Sequence, residues 1–273
     1  MGRKNVQFIF KKSLTGPSLF AIVNAHTVNT NYKNMRTKAL LSVAAIAASA
    51  ISAMAQGNVY SLNIVGYATV TVPAGFSILA NPLSAGATNG ANEIGLTIDS
   101  EQILTWNPAN SSFNFVSFDS TLGIGTGWID AQLNPSSPPS LPPGKGFFFF
   151  NPGTTATNIT FVGQVVPGPG AANSNSLPLI PGFSMIGSPL PANVTNISSA
   201  PVSLPLINSM QVLTWNNATS KYVYSSYDAT LGIGTGWIDA NLNPITAPGY
   251  SIGQGFFFFN PGNQTAFWNQ SLP

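Results

Sequence analysis

The chain states one long motif twice. Residues 119–135 read D-S-T-L-G-I-G-T-G-W-I-D-A-Q-L-N-P, and residues 228–244 repeat them with two differences in 17 positions. Gly144-Lys-Gly-Phe-Phe-Phe-Phe-Asn-Pro-Gly153 returns as Gly253-Gln-Gly-Phe-Phe-Phe-Phe-Asn-Pro-Gly262, at the same offset of 109. A duplication this long marks two copies of one folding unit rather than a short-period solenoid. It also permits a comparison inside one chain, between residues that both copies keep and residues that drifted.

The two units begin after a segment of different character. Seven of the nine basic residues precede residue 39. Met35-Arg-Thr-Lys38 is a short positive run, Ala39 to Ile51 is apolar and rich in alanine, and Ser52-Ala53-Met54-Ala55 is a small-x-small close. That order describes a secretory signal peptide over residues 35–55, cut after Ala55. The apolar run falls short of the roughly 20 residues that span a bilayer, so cleavage is expected and the mature form carries no membrane span. Residues 1–34 read as a spurious or disordered extension from an early start, with Met35 the true first residue; an unusually long n-region is the alternative. The expected location is secreted, periplasmic or cell surface.

Beyond Ala55 the sequence has no His, Cys or Arg, and its only cations are Lys145 and Lys221. Against seven acidic residues this gives 2 − 7 = −5, a balance that opposes a phosphate backbone and excludes nucleic acid as a partner. Without cysteine there is neither a disulfide nor a thiolate site. The usual Ser-His-Asp and Cys-His devices cannot be assembled.

Helical periodicity is nearly absent after Ala55. Short apolar-aromatic runs alternate with Asn, Pro, Gly and Ser clusters, the pattern of an all-β sandwich or barrel. Tyr60, Leu62 and Ile64 alternate, as do Val70 and Val72, with Gly66 between them read as a bulge or bend. Gln102–Trp106 and Phe113–Phe115 flank a polar stretch, and Gln211–Trp215 and Tyr222–Tyr224 do the same, which predicts one hairpin seen twice. The predicted organisation is unit one over 56–166, a linker over 167–176 and unit two over 177–273. Phe161-Val-Gly163 resembles Ile64-Val-Gly66, so the strand that closes unit one is expected beside the strand that opens it, or one strand serves both units.

Asp119/Asp228 and Asp130/Asp239 are the only ionisable residues kept by both copies; Glu101 faces Met210, Asp99 faces Asn208 and Lys145 faces Gln254. Paired carboxylates suit a glycoside hydrolase when about 5–9 Å apart, and carboxylates with loop carbonyls suit Ca²⁺. The preferred reading is Asx-type turns, with no metal and no cofactor, because a calcium loop carries more clustered acids. Gly123-Ile-Gly-Thr-Gly127 lacks the spacing and the following helix of a dinucleotide loop. Trp128 and Trp237, after those glycines, are the expected exposed platforms for a sugar ring, whereas Trp106 and Trp215 read as core. Phe147–Phe150 and Phe256–Phe259 need cover on both faces, because successive strand residues point to opposite sides; packing of one unit on the other is the expected cover.

Gly75-Phe-Ser-Ile-Leu-Ala-Asn-Pro82 and Gly182-Phe-Ser-Met-Ile-Gly-Ser-Pro189, with the Trp hairpin and the G-x-G-F-F strand, resemble duplicated modules in exported envelope proteins of environmental Gram-negative bacteria. The resemblance covers most of the chain after Ala55 and implies export and a β fold, with no active residues assigned. The expectation is two tandem β-sandwich-like units packed on each other, forming a non-catalytic surface or extracellular structural protein. Polysaccharide binding through Trp128 and Trp237, with Asp119, Asp130, Asp228 and Asp239 nearby, is the alternative; a hydrolase using the aspartates ranks third. The expected partners are extracellular polysaccharide or other envelope proteins.

Overall fold

The computed structural model describes residues 65–123, 125–165, 174–199, 203–232 and 234–271. The signal peptide, the extension before it, Tyr60, Leu62 and Ile64, and linker residues 167–173 lie outside the described residues. The first copy contains β1 (Val65–Val72), β2 (Gly75–Ala80), β3 (Gln102–Asn107), β4 (Ser112–Phe118), β5 (Trp128–Asp130), β6 (Gly146–Asn151) and β7 (Thr157–Gln164). The second contains β8 (Ser174–Leu179), β9 (Gly182–Gly187), β10 (Met210–Asn216), β11 (Lys221–Tyr227), β12 (Trp237–Ile238), β13 (Gly255–Asn260) and β14 (Ala266–Ser271). β8 thus begins within the last three residues of the stretch read as linker.

Each copy is a β-sandwich-like unit made of a five-stranded antiparallel sheet and a two-stranded ribbon. The sheets run β2-β6-β3-β4-β5 and β9-β13-β10-β11-β12, and the ribbons are β1-β7 and β8-β14. Opening and closing strands of each copy therefore lie side by side, the first of the two arrangements the Val-Gly similarity allows. β1 and β7 pair without interruption through Gly66 opposite Gly163, so Gly66 makes no bulge. The position that demands glycine is Gly163, where a methyl group would sit 2.4 Å from the Ser84 carbonyl oxygen. Ser84 and Gln164 exchange backbone hydrogen bonds of 2.8 and 2.7 Å there.

Alternation along β6 divides its four phenylalanines between two environments. Phe147 and Phe149 enter the main core with Ile103, Trp128 and the ribbon residues Val72, Ile159 and Phe161. Phe148 faces the other way and packs with Ile78, Met185 and Phe257, the last two from the second copy. Phe256 and Phe258 repeat the inward role in β13. Asn151 and Asn260, which end these strands, are buried. The Asn151 amide donates to the carbonyls of Val72 and Thr155 at 3.1 and 3.0 Å, tying sheet to ribbon. Asn260 makes the same bonds to Leu179 and Gln264, both at 2.9 Å.

The copies meet through contacts that exchange under an approximate two-fold relation. Trp106 Nε1 donates to the Phe183 carbonyl at 2.9 Å, and Trp215 Nε1 donates to the Phe76 carbonyl at 2.7 Å. Ala80 N bonds Gly253 O at 2.9 Å while Gly187 N bonds Gly144 O at 3.0 Å. Leu79 bridges Gln254, and Ile186 bridges Lys145. Phe113 and Tyr222 each lie edge-on to both Phe148 and Phe257, with ring centroids 5.8–6.4 Å apart. Trp106 and Trp215 are accordingly half-buried members of this junction rather than parts of the main core. Edge-to-face aromatic pairs of this kind add about 0.5–1.5 kcal/mol each beyond the area they bury.

Close approach explains the paired glycines before each Phe strand. A methyl at Gly146 would sit 2.8 Å from the Ile186 nitrogen, and one at Gly255 would sit 2.5 Å from the Leu79 oxygen. Neither neighbour is a side chain that can rotate away. Gly255→Ala is therefore expected to lower the stability of the whole folded body by about 1–3 kcal/mol. Urea unfolding checks this, and a change within about 0.5 kcal/mol, the range of neutral surface substitutions, would contradict it.

Candidate functional site

The segment that the copies share most closely runs from the end of β4 through β5 into the turn that follows, and again from the end of β11 through β12 into its turn. Its polar residues are spent on holding its shape. Asp119 caps the 3-10 turn Ser120–Leu122, its Oδ1 accepting from Thr121 N at 2.8 Å and Thr121 Oγ1 at 2.6 Å. Asp228 caps Ala229–Leu231 in the same way, accepting from Thr230 N at 2.8 Å. Asp130 accepts from the amides of Gln132 and Asn134, both at 2.9 Å, and from Asn134 Nδ2 at 3.2 Å. Asp239 repeats this with Asn241 and Asn243 at 2.8–3.1 Å. The four retained aspartates are thus Asx-type anchors.

These bonds stabilise the ionised form. The Thr121 hydroxyl and amide hold the Asp119 carboxyl below its ordinary range, and those of Thr230 do so for Asp228. The amide and side chain of Asn134 lower Asp130, and the side chain and then the amide of Asn243 lower Asp239. A glycosidic general acid needs the opposite shift. Among the described residues, no three His, Cys, Asp or Glu side chains gather as a metal site.

The indoles after the glycines occupy the core. Trp128 is 0 % exposed and Trp237 1 %, which corrects the expectation of sugar platforms: neither has a free face for a ring to stack on. Their N–H groups are taken up internally, by Asn92 Oδ1 at 2.6 Å and Ser198 Oγ at 3.0 Å. The preceding glycine is required because a methyl at Gly127 would stand 2.7 Å from the Phe118 ring, and one at Gly236 2.8 Å from the Tyr227 ring. The glycine lets an aromatic side chain of the neighbouring strand lie over the backbone, and the tryptophan turns inward beneath it.

What these loops present to solvent is leucine, a feature that reading polar and aromatic residues missed. Leu133 is 71 % exposed and Leu242 68 %, with Leu122 and Leu231 also exposed. Leu133 and Leu242 have φ of 63° and 62°, the left-handed region that costs a β-carbon-bearing residue about 1–2 kcal/mol. Asn or Gly would relieve both the strain and the exposed apolar surface, yet both copies hold Leu. The sequence signal was available: an invariant leucine inside A-[Q/N]-L-N-P, where turn chemistry asks for a polar residue.

Glu101 is a carboxyl without a counterpart. It is 0 % exposed, at the start of the first hairpin, and its Oε2 accepts from Ile98 N at 3.0 Å while Oε1 has no partner. In the second copy the equivalent Ile207 N meets Met210 Sδ at 3.4 Å. Burial pushes the Glu101 carboxyl up to about 7, opposed by the Ile98 bond and reinforced by the charge on Asp99. Compared with known proteins, the chain matches no family model, no curated protein and no solved structure.

Glu101 sets a pH dependence. Because its folded value lies above its unfolded one, the folded state keeps a proton that the unfolded chain releases. Stability is therefore highest below about pH 4.5 on this account and falls as pH rises to about 7, by on the order of 3 kcal/mol. The aspartates act in the other direction, their contribution fading only as pH drops through their lowered values. Glu101→Met, which copies Met210, is expected to flatten the profile between pH 5 and 8 and to raise the melting temperature at pH 8. Equal slopes for variant and parent in denaturation at those two pH values would show that the carboxyl is not buried in its acid form.

Proposed function

We propose that this chain is an exported, non-catalytic structural protein of the cell surface or extracellular space. In this reading the duplicated β module is one folded body presenting two equivalent apolar loops to envelope partners. The observation that carries it is the pairing of retention with exposure. The segment kept most closely between the copies uses its aspartates, threonines and glycines to build the loop, and its remaining invariant side chains include exposed, strained leucines. Strain retained at an exposed position points to a use outside the fold. The export half of the reading rests on the order of charge, apolar run and small residues through Ala55, together with the resemblance to exported envelope modules. Trp128 and Trp237 offer polysaccharide no face to stack on, since both are buried.

Replacing Leu133 and Leu242 together by Asn tests the loops. Asn tolerates the left-handed conformation, so the melting temperature should hold or rise by a few degrees, in line with about 1 kcal/mol of relieved strain per site. The doubly substituted protein should be exported and processed to Gln56 as before, yet be released from the envelope fraction into the medium. Retention in that fraction at the parental level would overturn the role given to the loops, and an unprocessed Met1 or Met35 terminus would overturn export.

A further inference from the structure

The junction between the copies departs from its two-fold relation at one place. Beside Trp106 lies a cleft of about 230 Å³ whose walls include Pro108, Pro142, Pro143, Lys145 and Pro178. At the equivalent place in the second copy, Asn217 stands where Pro108 does. The Asn217 amide reaches across the junction to the carbonyls of Ala74 and Phe76, at 3.1 and 2.6 Å. Proline has no side-chain donor, so the first copy cannot make this tie. Gln254 stands where Lys145 does and turns back onto its own loop, accepting from Ser251 N at 3.0 Å. Pro142 and Pro143 correspond to Ser251 and Ile252. The first copy has therefore given up a bridging amide, gained rigid apolar walls and placed a cation among them.

That cation lacks a counter-charge. Lys145 is half-buried, its ammonium donates to the Ser140 carbonyl at 3.0 Å, and no carboxylate pairs with it among the described residues. Burial holds its pKa below the ordinary lysine value. A cation kept partly out of water without an anion is costly unless a ligand supplies one. The prolines bring no N–H groups, so the backbone here is short of donors; Lys145 N takes the Pro142 carbonyl at 3.0 Å, and the carbonyls of Pro108 and Pro143 remain for a ligand with hydroxyls to donate. Flat apolar walls formed by indole and pyrrolidine suit the C–H face of a ring. The volume lies below the roughly 300–1,000 Å³ of sites for drug-sized ligands, which sets the occupant at a single ring.

We propose that this cleft is a binding site, one per chain, for a hydroxylated ring bearing a carboxylate, the chemistry of a uronic acid residue. The ring lies against Trp106 and the prolines, and its carboxylate pairs with Lys145. This site is independent of the leucine loops, so either proposal can fail without the other.

Titration of the secreted protein with D-galacturonate, followed through the indole N–H signal of Trp106 by NMR, tests it. Galacturonate should bind with one site per chain. D-galactose, which lacks the carboxylate, and benzoate, which lacks the hydroxyls, should each bind at least about tenfold more weakly, the loss expected for one charge-assisted contact or its equivalent. Lys145→Gln and Pro108→Asn both install residues that the second copy already accommodates, and each should weaken galacturonate binding by at least about tenfold. Lys145→Arg should retain it. Absence of galacturonate binding, equal binding of galactose or benzoate, or binding that survives both first-copy substitutions would overturn the proposal.

Discussion

Four consecutive phenylalanines in one strand create the constraint around which the molecule is organised. In a pleated strand Phe147 and Phe149 point one way and Phe148 the other, so neither face can be left to water. Each ring stabilises the fold by about 1.5–3 kcal/mol when buried, a sizeable share of the net stability of about 5–15 kcal/mol usual for a domain. One face is solved locally, by the ribbon and the loops of the same copy. The other is solved only by the second copy, which brings the identical problem in Phe257. Duplication thus supplies a self-complementary cover, with the isologous geometry of a two-fold dimer inside one chain.

The glycines follow from that cover. Backbone must approach backbone for Phe148 and Ile78 to meet Met185 and Phe257 across the junction, and side chains at Gly146, Gly187 or Gly255 would block the approach. The Trp106 and Trp215 N–H groups then donate to carbonyls across the junction, each hydrogen bond adding about 0.5–1.5 kcal/mol to closing it. Where the second copy adds Asn217 to this network, the first carries Pro108 and leaves a cleft. The same junction therefore holds the copies together and supplies the one asymmetric surface on which a ligand site can be argued.

Much of this was legible in the sequence because period-two patterning and turn chemistry act locally. The all-β class, the twin hairpins, the Asx role of Asp119 and Asp228, and the cover on both faces of the Phe147–Phe150 strand follow from residue spacing, and the adjacent opening and closing strands are one of the two arrangements that the Val-Gly similarity allows. The tryptophans were misassigned for a long-range reason. Trp128 follows flexible glycines, which reads as exposure, but the last of them, Gly127, admits the Phe118 ring from the neighbouring strand. Trp106 sits mid-strand, which reads as core, but its face of the sheet is the junction between copies. Gly66 reads as a bulge, yet the conformational demand falls on Gly163 across the ribbon, where Ser84 intrudes. Each error comes from a neighbour on another strand or loop that the local pattern does not contain. The exposed leucines were missed because apolar residues in a β chain are assigned inward by default.

Hydrogen exchange on a Phe257→Ala variant tests most directly the claim that the two copies fold as one body. Truncating this junction ring should cost about 3–5 kcal/mol. If the junction is integral to both copies, the slowest amides of β2 and β6 in the first copy should lose protection together with those of β9 and β13, by about 100-fold or more. Loss confined to residues 174–271, with β2 and β6 protected as in the parent, would mean that each copy stands alone and that the shared aromatic junction does not hold the fold together.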